Sequence, residues 1–408
     1  MTKKSFIDDA YVSSFESKII ALEKKNGKNA IVLDHTYFYP EGGGQPTDKG
    51  RIDNLFINDV QLHDENIYHF TEQPIEQLNV GQVVKCEIDF FRRLSLMQQH
   101  TGQHILSSCA EKWFDANTVG FHIGEDYVTV DLDKKLNMVD VDQLEKKAND
   151  VVFMNLEVKA HYPSSDELSE MPLRKQPKVT ENIRVIEVDG VDFSPCGGTH
   201  LRKTSEVGLI KIKRIENYKT GIRIEFCCGY FALDTFKKRN DTVNQLMRLF
   251  SVKDDEIVSF CEQMLENQKQ DKMAISTLKE QLFKLQVSSL IQSYEEAELE
   301  SDIKVITLIE EDSSMVDLRL KSSMIAEYDN FIILAAAKEN DKTHIVLTKS
   351  KNMTSEFDMG ALFKQSVAPY GIKGGGNPVV AQGGSNQPVD IDHIFQTLET
   401  TLQAIIES

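Results

Sequence analysis

Two stretches of this chain have residue types and spacing suited to metal chemistry: His100-Thr101-Gly102-Gln103-His104 and Cys196-Gly197-Gly198-Thr199-His200. The first lies in an apolar-periodic run, Leu94 to Cys109, that predicts a helix. Histidines at i and i+4 of a helix stand on one face, a turn apart. Both imidazoles can then reach one ion at about 2.0–2.1 Å. The second stretch adds a thiolate and a third imidazole. Its two glycines disfavour a helix, so this pair is placed on a loop. Nitrogen and sulfur donors of this kind favour tetrahedral zinc, and one Zn2+ per chain is expected on His100, His104, Cys196 and His200. Four protein donors make a closed, structural arrangement, whereas catalysis needs an open position for water. The spacing leaves both roles open. His63, His69, His161, His344 and His393 have no partner at ligand spacing. His122, between Phe121 and Gly124, is placed where it can face the site.

The remaining chain must hold these stretches in place. Residues 1–92 read mainly as β, with short apolar runs at Ile19–Leu22, Ala30–Leu33, Val60–His63, Ile67–Phe70 and Val83–Ile88. A small β-barrel or sandwich is their natural sum. Within them, Gly42-Gly43-Gly44 stands between Pro40 and Pro46. Such a segment continues neither a helix nor a central strand; it brings backbone close to another group or forms a hairpin tip. Residues 93–230 mix helix and strand around the two metal stretches. Residues 231–300 read as a long amphipathic helix or hairpin. From Ile257 a 4–3 spacing runs through Cys261, Met264, Ile275, Leu278, Leu282 and Leu285, interrupted by Gln268 and Asp271. Packing on its own domain and an intermolecular zipper both fit. Ser251-x-x-Asp254 is placed as a capping box at its start. Residues 301–408 alternate strands and helices, with a glycine-rich loop from Gly371 to Pro378. The fold class is therefore multidomain α+β, with expected boundaries at 92/93, 230/231 and 300/301.

Bulk properties narrow the partners. The chain has 408 residues, 40% hydrophobic and 27% charged, with a net charge of −18. An acidic total opposes a nucleic-acid partner unless a local patch overrides it. Arg202 to Arg223 holds seven basic residues against Glu206 and Glu216, a local balance of +5. That run is a candidate phosphate-facing strip. Six scattered cysteines, with Cys227 and Cys228 adjacent, suit a reducing compartment. The first residues carry no apolar core of signal-peptide length, and the longest apolar run, Phe331 to Ala337, is far short of a membrane span. A cytoplasmic protein with no membrane partner is expected.

The motifs also stand in a recognisable order. Thr36, Phe38-Tyr39-Pro40-Glu41-Gly42-Gly43-Gly44-Gln45-Pro46, Asp89-x-x-Arg92-Arg93, Met97-Gln98-Gln99 before the histidine stretch, Phe121-His122-x-Gly124 and Asp192-x-x-x-Cys196 resemble the alanyl-tRNA editing proteins over roughly residues 10 to 228. Residues 301–408, with Gly374-Gly375-Gly376-Asn377-Pro378 and Ala381-Gln382-Gly383-Gly384, resemble the DHHA1 domain that ends alanyl-tRNA synthetases. The whole is similar to the family's long form. Asn377-Pro378 and Ser385 depart from the C-terminal glycine motif, and no Asp-His-His phosphoesterase motif accompanies it. The resemblance implies an N-terminal β-barrel, a zinc-containing editing domain, a helical linker and a C-terminal α/β DHHA1-like domain. It implies trans-hydrolysis of the ester in tRNA(Ala) mischarged with serine or glycine. Hydrolysis at a second site is needed because binding alone poorly rejects an isostere with one added hydroxyl. In that reading Thr36, Gln45, Gln103 and His122 are catalytic candidates, Thr36 meeting the serine hydroxyl. Gly42, Gly43, Gly44, Arg92, Arg93 and Asp192 are substrate-binding candidates, the arginines meeting phosphate. tRNA contact and homodimerisation are implied for the C-terminal region. Threonyl-type editing is the first alternative, and a non-catalytic tRNA-binding module with a structural zinc is the second.

Overall fold

The computed structural model describes residues 1–408 apart from 26, 125–126, 178–182, 298–301, 340–341, 354–355, 388 and 407–408. It divides into two compact units, Met1–Asp254 and Asp255–Ser408. Both mix sheets and helices. The expected boundaries at 92/93 and 230/231 fall inside the first unit, and the one at 300/301 lies outside the described residues. The first boundary is bridged physically. Helix α1 (Phe90–Phe114) starts at the end of the N-terminal sheet, where the Asp89 side chain accepts from Arg92 N–H and caps it. One turn in, Arg93 is buried against Asp48.

The N-terminal region holds a seven-stranded antiparallel sheet in the order Leu55–Ile57, Gly50–Ile52, Val83–Ile88, Ser14–Lys25, Lys28–Leu33, Asn66–Thr71, Asp59–His63. Strand Ser14–Lys25 pairs with Val83–Ile88 through its first half and with Lys28–Leu33 through its second, and a register shift separates Ile19 from Ala21. Such an irregularity bends a strand and lets one sheet wrap a core. Among the described residues the strand order runs between two edge strands.

Helix α1 is buried along almost its whole length, from Arg93 to Ala110. A helix enclosed on all sides is normally apolar. This one carries glutamines, histidines and serines, so each needs a buried partner. Gln99 Nε2 donates to Cys228 O at 2.9 Å, while Cys228 N–H donates to Gln99 Oε1 at 2.8 Å. Gln98 Nε2 donates to Glu206 O at 3.0 Å, and Ser108 Oγ to Val191 O at 2.6 Å. These bonds tie the helix to a four-stranded sheet (Thr118–Ile123, Val128–Leu132, Gly221–Cys228, Ile210–Tyr218) and to a three-stranded one (Val158–His161, Val185–Val188, Asp192–Pro195). Helices α2 (Met138–Phe153), α3 (Ser165–Glu170) and α4 (Gly229–Phe250) complete the unit.

The second unit opens with α5 (Ile257–Glu296), 40 residues long. The expected capping box does not form there. Ser251 has φ 56° and closes α4 as a left-handed C-cap, and the α5 N-cap is Glu256. A five-stranded sheet follows, with Phe331–Glu339 pairing in parallel to Lys304–Glu311. Helices α6 (Met315–Ile325), α7 (Met359–Ser366) and α8 (Ile391–Ile406) accompany it. The segment expected as a glycine loop contributes an edge strand instead: Lys373–Gly376 pairs antiparallel with Val380–Ser385. Regular backbone pairing there offsets the weak strand preference of glycine.

Candidate metal centre

The helix pitch and the loop bring the expected ligands together. The ligand atoms of His100, His104, Cys196 and His200 lie within 4.8 Å of one another. Cys196 Sγ is 3.3 Å from Nε2 of both His100 and His200. Donors about 2.0–2.1 and 2.3 Å from a tetrahedral ion would stand roughly 3.5 Å apart, so this donor set fits zinc closely.

Each imidazole is also fixed from behind. His100 Nδ1–H donates to Gln45 Oε1 at 2.8 Å. The amide orientation is set by Thr199 N–H, which donates to the same Oε1 at 3.0 Å, and by Gln45 Nε2, which donates to Thr199 Oγ1 at 2.8 Å. His104 Nδ1–H donates to Asp192 Oδ2 at 2.8 Å, and His200 Nδ1–H to Thr101 Oγ1 at 3.2 Å. With each Nδ1 engaged by its outer partner, the opposite nitrogen of each ring is left for an ion, the outer-shell pattern of metal-binding histidines.

Charge follows the same logic. Burial opposes ionisation of Cys196, but the His100 and His200 imidazoles outweigh it and hold the thiol well below its ordinary range. Burial pushes His200 down to about 3, so it is neutral and ready to ligate. Burial likewise opposes charging of His104, but its hydrogen bonds to Asp192 and Cys196 outweigh this and raise it. Asp192 is held at about 2, burial being outweighed by His104 and Arg174. The three histidines are buried, and Cys196 is partly exposed as a residue.

Gly198 shows how little space is left. A Cβ there would lie 2.2 Å from His100 Cε1 and 2.9 Å from Gln45 Oε1, whereas a Cβ at Gly197 meets nothing within 4 Å. Gly198→Ala is therefore expected to push His100 aside and weaken zinc binding about 10–100-fold, with Gly197→Ala unchanged. Competition with a chelating dye measures both, and equal affinities would contradict this reading.

The other expected site residues separate. Gln45 and Asp192 lie behind the candidate group, hydrogen-bonded to His100 and His104. Gly44 (φ 83°) packs on Phe121, whose ring centroid is 5.7 Å from that of His100; a Cβ at Gly44 would meet that ring at 2.7 Å. Ile123 N–H donates to Gly44 O at 3.1 Å, so the glycine loop is pinned and not a loose tip. Gly42, Gly43 and His122 line a cleft of about 440 Å³ on that loop. Alternation along strand Thr118–Ile123 gives the place beside His100 to Phe121, while His122 faces the cleft of the glycine loop. Gln103 Nε2 donates to Ser107 Oγ at 2.8 Å, a bond within α1. Arg92 is half-buried, with Nε donating to Thr47 O at 3.2 Å. Arg93 is a correction. Its guanidinium is enclosed by Asp48, Ala10 O and Tyr37 O and has no surface to offer a phosphate.

Thr36 is buried, and its hydroxyl is paired to His69, a residue with no ligand spacing in the sequence. His69 Nδ1–H donates to Ile31 O at 2.9 Å, and burial pushes the ring down to about 4, leaving Nε2 as a bare acceptor. Thr36 O–H therefore donates to His69 Nε2 at 2.9 Å and accepts from Phe38 N–H at 3.1 Å. The hydroxyl keeps one lone pair.

The basic run is largely cancelled. Arg202 pairs with Asp9, Lys211 with Glu145, Lys213 with Glu225, Arg214 with Glu216 and Glu225, and Arg223 with Asp131. Five of its seven cations thus have an acid within 3.0 Å. A larger cavity of about 700 Å³, lined by Leu94, Leu233 and Phe236, has none of the four clustered residues in its lining.

Known proteins resemble this chain over most of its length. Residues 8–92 match the family described as tRNA synthetases class II (A), and residues 183–225 match the threonyl and alanyl tRNA synthetase second additional domain. The alanyl-tRNA editing protein AlaX-L of Pyrococcus horikoshii is 30% identical over 393 residues, 94% of each chain. This chain belongs to the alanyl-tRNA editing protein family. Alanine–tRNA ligases are related over part of their length. That of Methanobrevibacter smithii is 28% identical over 93% of this chain and 43% of its own, and that of Methanosarcina barkeri 28% over 99% and 44%. The chain thus spans less than half of those ligases. The crystal structure of the C-Ala domain from Aquifex aeolicus alanyl-tRNA synthetase matches 26% of this chain and 95% of that one, at 20% identity and a TM-score of 0.23, too low to argue the fold from. No helix among the described residues is long and apolar enough to cross a membrane.

Proposed function

We propose that this chain is a zinc-dependent aminoacyl-tRNA deacylase that acts in trans on tRNA(Ala) mischarged with serine or glycine. The observation that carries the reading is the clustered group His100, His104, Cys196 and His200, each ring aimed by its own outer partner, in a chain matched over 94% of its length by an alanyl-tRNA editing protein. When bound, zinc supplies positive charge beside the ester and a template for its orientation. The chain's own residues do the rest. Gln45 and Thr199 join the glycine loop to the ligand loop, so the wall of the substrate cleft is bonded directly to the metal group. Phe121 covers His100 and keeps water from that side of the group. Thr36, its proton committed to His69, accepts the hydroxyl proton of a seryl group and has nothing to accept from an alanyl group.

A deacylation panel tests this. Full-length protein loaded with zinc is expected to hydrolyse seryl- or glycyl-tRNA(Ala) and spare alanyl-tRNA(Ala), and chelation is expected to abolish the activity. Thr36→Val is expected to narrow the difference between seryl and alanyl substrates. Hydrolysis no faster than buffer with zinc bound would favour the non-catalytic binding module, which the closed four-donor set also suits. Preferential cleavage of seryl-tRNA(Thr) would favour threonyl-type editing.

A further inference from the structure

One buried cation next to the metal group belongs to neither motif. Arg174 lies between α3 and strand Val185–Val188, and its side chain is 7% exposed. Its backbone N–H donates to Phe193 O at 2.8 Å, which ties its segment to the strand leading to Cys196. Its Nε donates to Asp192 Oδ1 at 2.6 Å, and Ser194 Oγ donates to that same oxygen at 3.1 Å. The other oxygen, Oδ2, receives His104 Nδ1–H at 2.8 Å. Nη2 of Arg174 is buried with no hydrogen-bond partner among the described residues. Enclosing a guanidinium with a donor unmet carries a desolvation cost that its bond to Asp192 has to offset. What the position secures is one carboxylate, gripped on one oxygen and presenting the other to a ligand ring.

We propose that Arg174 is a positioning residue of the metal centre: it locks Asp192, and Asp192 holds the His104 ring with Nε2 toward the ion. Charge-assisted bonds of this kind are short and directional, and Ser194 alone is a weaker, neutral donor. Without Arg174 the Asp192 carboxylate can turn about its side-chain torsions, and His104 loses the partner that fixes its orientation. The inference rests on the metal part of the proposed function and is independent of the tRNA substrate.

Zinc affinity of the full-length chain tests it, by chelator competition, together with the visible spectrum after loading with Co2+ alone. Arg174→Gln is expected to bind Zn2+ about 10–100-fold more weakly and to alter the Co2+ spectrum, as loss of an outer-shell partner does. Arg174→Lys, which keeps a cation at Oδ1, is expected to recover part of the affinity. In an Asp192→Asn background, Arg174→Gln is expected to add nothing, because the residue acts through that carboxylate. Wild-type affinity in Arg174→Gln would overturn the proposal, as would a full additional loss in the Asp192→Asn background. If circular dichroism shows Arg174→Gln unfolded, Arg174→Lys with and without Asp192→Asn decides by the same criterion. Wild-type protein that binds zinc but leaves seryl-tRNA intact would sink the substrate reading and leave this proposal standing.

Discussion

Cys196→Ala is expected to lose zinc and ester hydrolysis together. The thiolate is the one anionic ligand of the group, with Nε2 of two imidazoles 3.3 Å from its sulfur. Structural zinc is bound with about 10–16 kcal/mol at neutral pH, so one of four ligands carries roughly 2.5–4 kcal/mol. At about 1.4 kcal/mol per decade that is two to three decades in affinity. The loss spreads beyond the ion. Gly198 N–H points at Cys196 Sγ (3.4 Å), and Arg184 Nη1 donates to the carbonyls of Cys196 (3.1 Å) and Gly198 (2.8 Å), so the ligand turn is shaped around the thiolate. Metal content and seryl-tRNA hydrolysis, measured on the same preparation, check it. A Cys196→Ala protein with stoichiometric zinc and full activity would remove the metal group from the mechanism.

The second large effect lies outside the site. Arg93→Ala is expected to destabilise the first unit by about 3–5 kcal/mol, because a buried carboxylate is left without its partner. Asp48 is 1% exposed and receives Arg93 Nε on both oxygens at 3.0 Å; it also accepts Tyr39 N–H at 2.6 Å. Arg93 Nη1 donates to Ala10 O at 2.8 Å and Nη2 to Tyr37 O at 2.6 Å. One side chain thus holds the start of α1, the N-terminal segment and the strand end that leads into the glycine loop. A loss of this size is a third or more of the stability of many domains. Urea unfolding, read as a lowered midpoint at unchanged slope, measures it. Unchanged stability with weakened tRNA binding would restore the phosphate-contact role. Replacing both partners, Asp48→Asn with Arg93→Met, is expected to recover much of the loss, since no charge is then stranded.

These two residues mark how much of the site was legible beforehand. The grouping of Cys196 with three histidines was readable because few residue types suit a metal ion and helix pitch dictates i, i+4. Arg93 was misread because an arginine's surroundings decide whether it binds an anion outside or a carboxylate inside, and Asp48 lies 45 positions away. The basic run failed for the same reason. Its +5 counted neighbours along the chain, yet Arg202 meets Asp9 across 193 positions. Thr36 and His69 pair across 33 positions, and nothing in the spacing of either announced it.

By itself the sequence determined the α+β class, the four residues of the candidate metal group, the helix that carries two of them and the family to which the motifs belong. Each of these rests on local periodicity or on a short motif, which chain neighbours alone specify. Only the tertiary structure decided which outer partner serves which ring: Gln45 for His100, Asp192 for His104 and Thr101 for His200, across 55, 88 and 99 positions. It also decided that Phe121 and not His122 faces the group, and that Arg174 stands behind Asp192. Hydrogen bonds and ring contacts act over a few ångströms in space, so their pairing is settled only when the chain has folded and its buried polar groups have found one another.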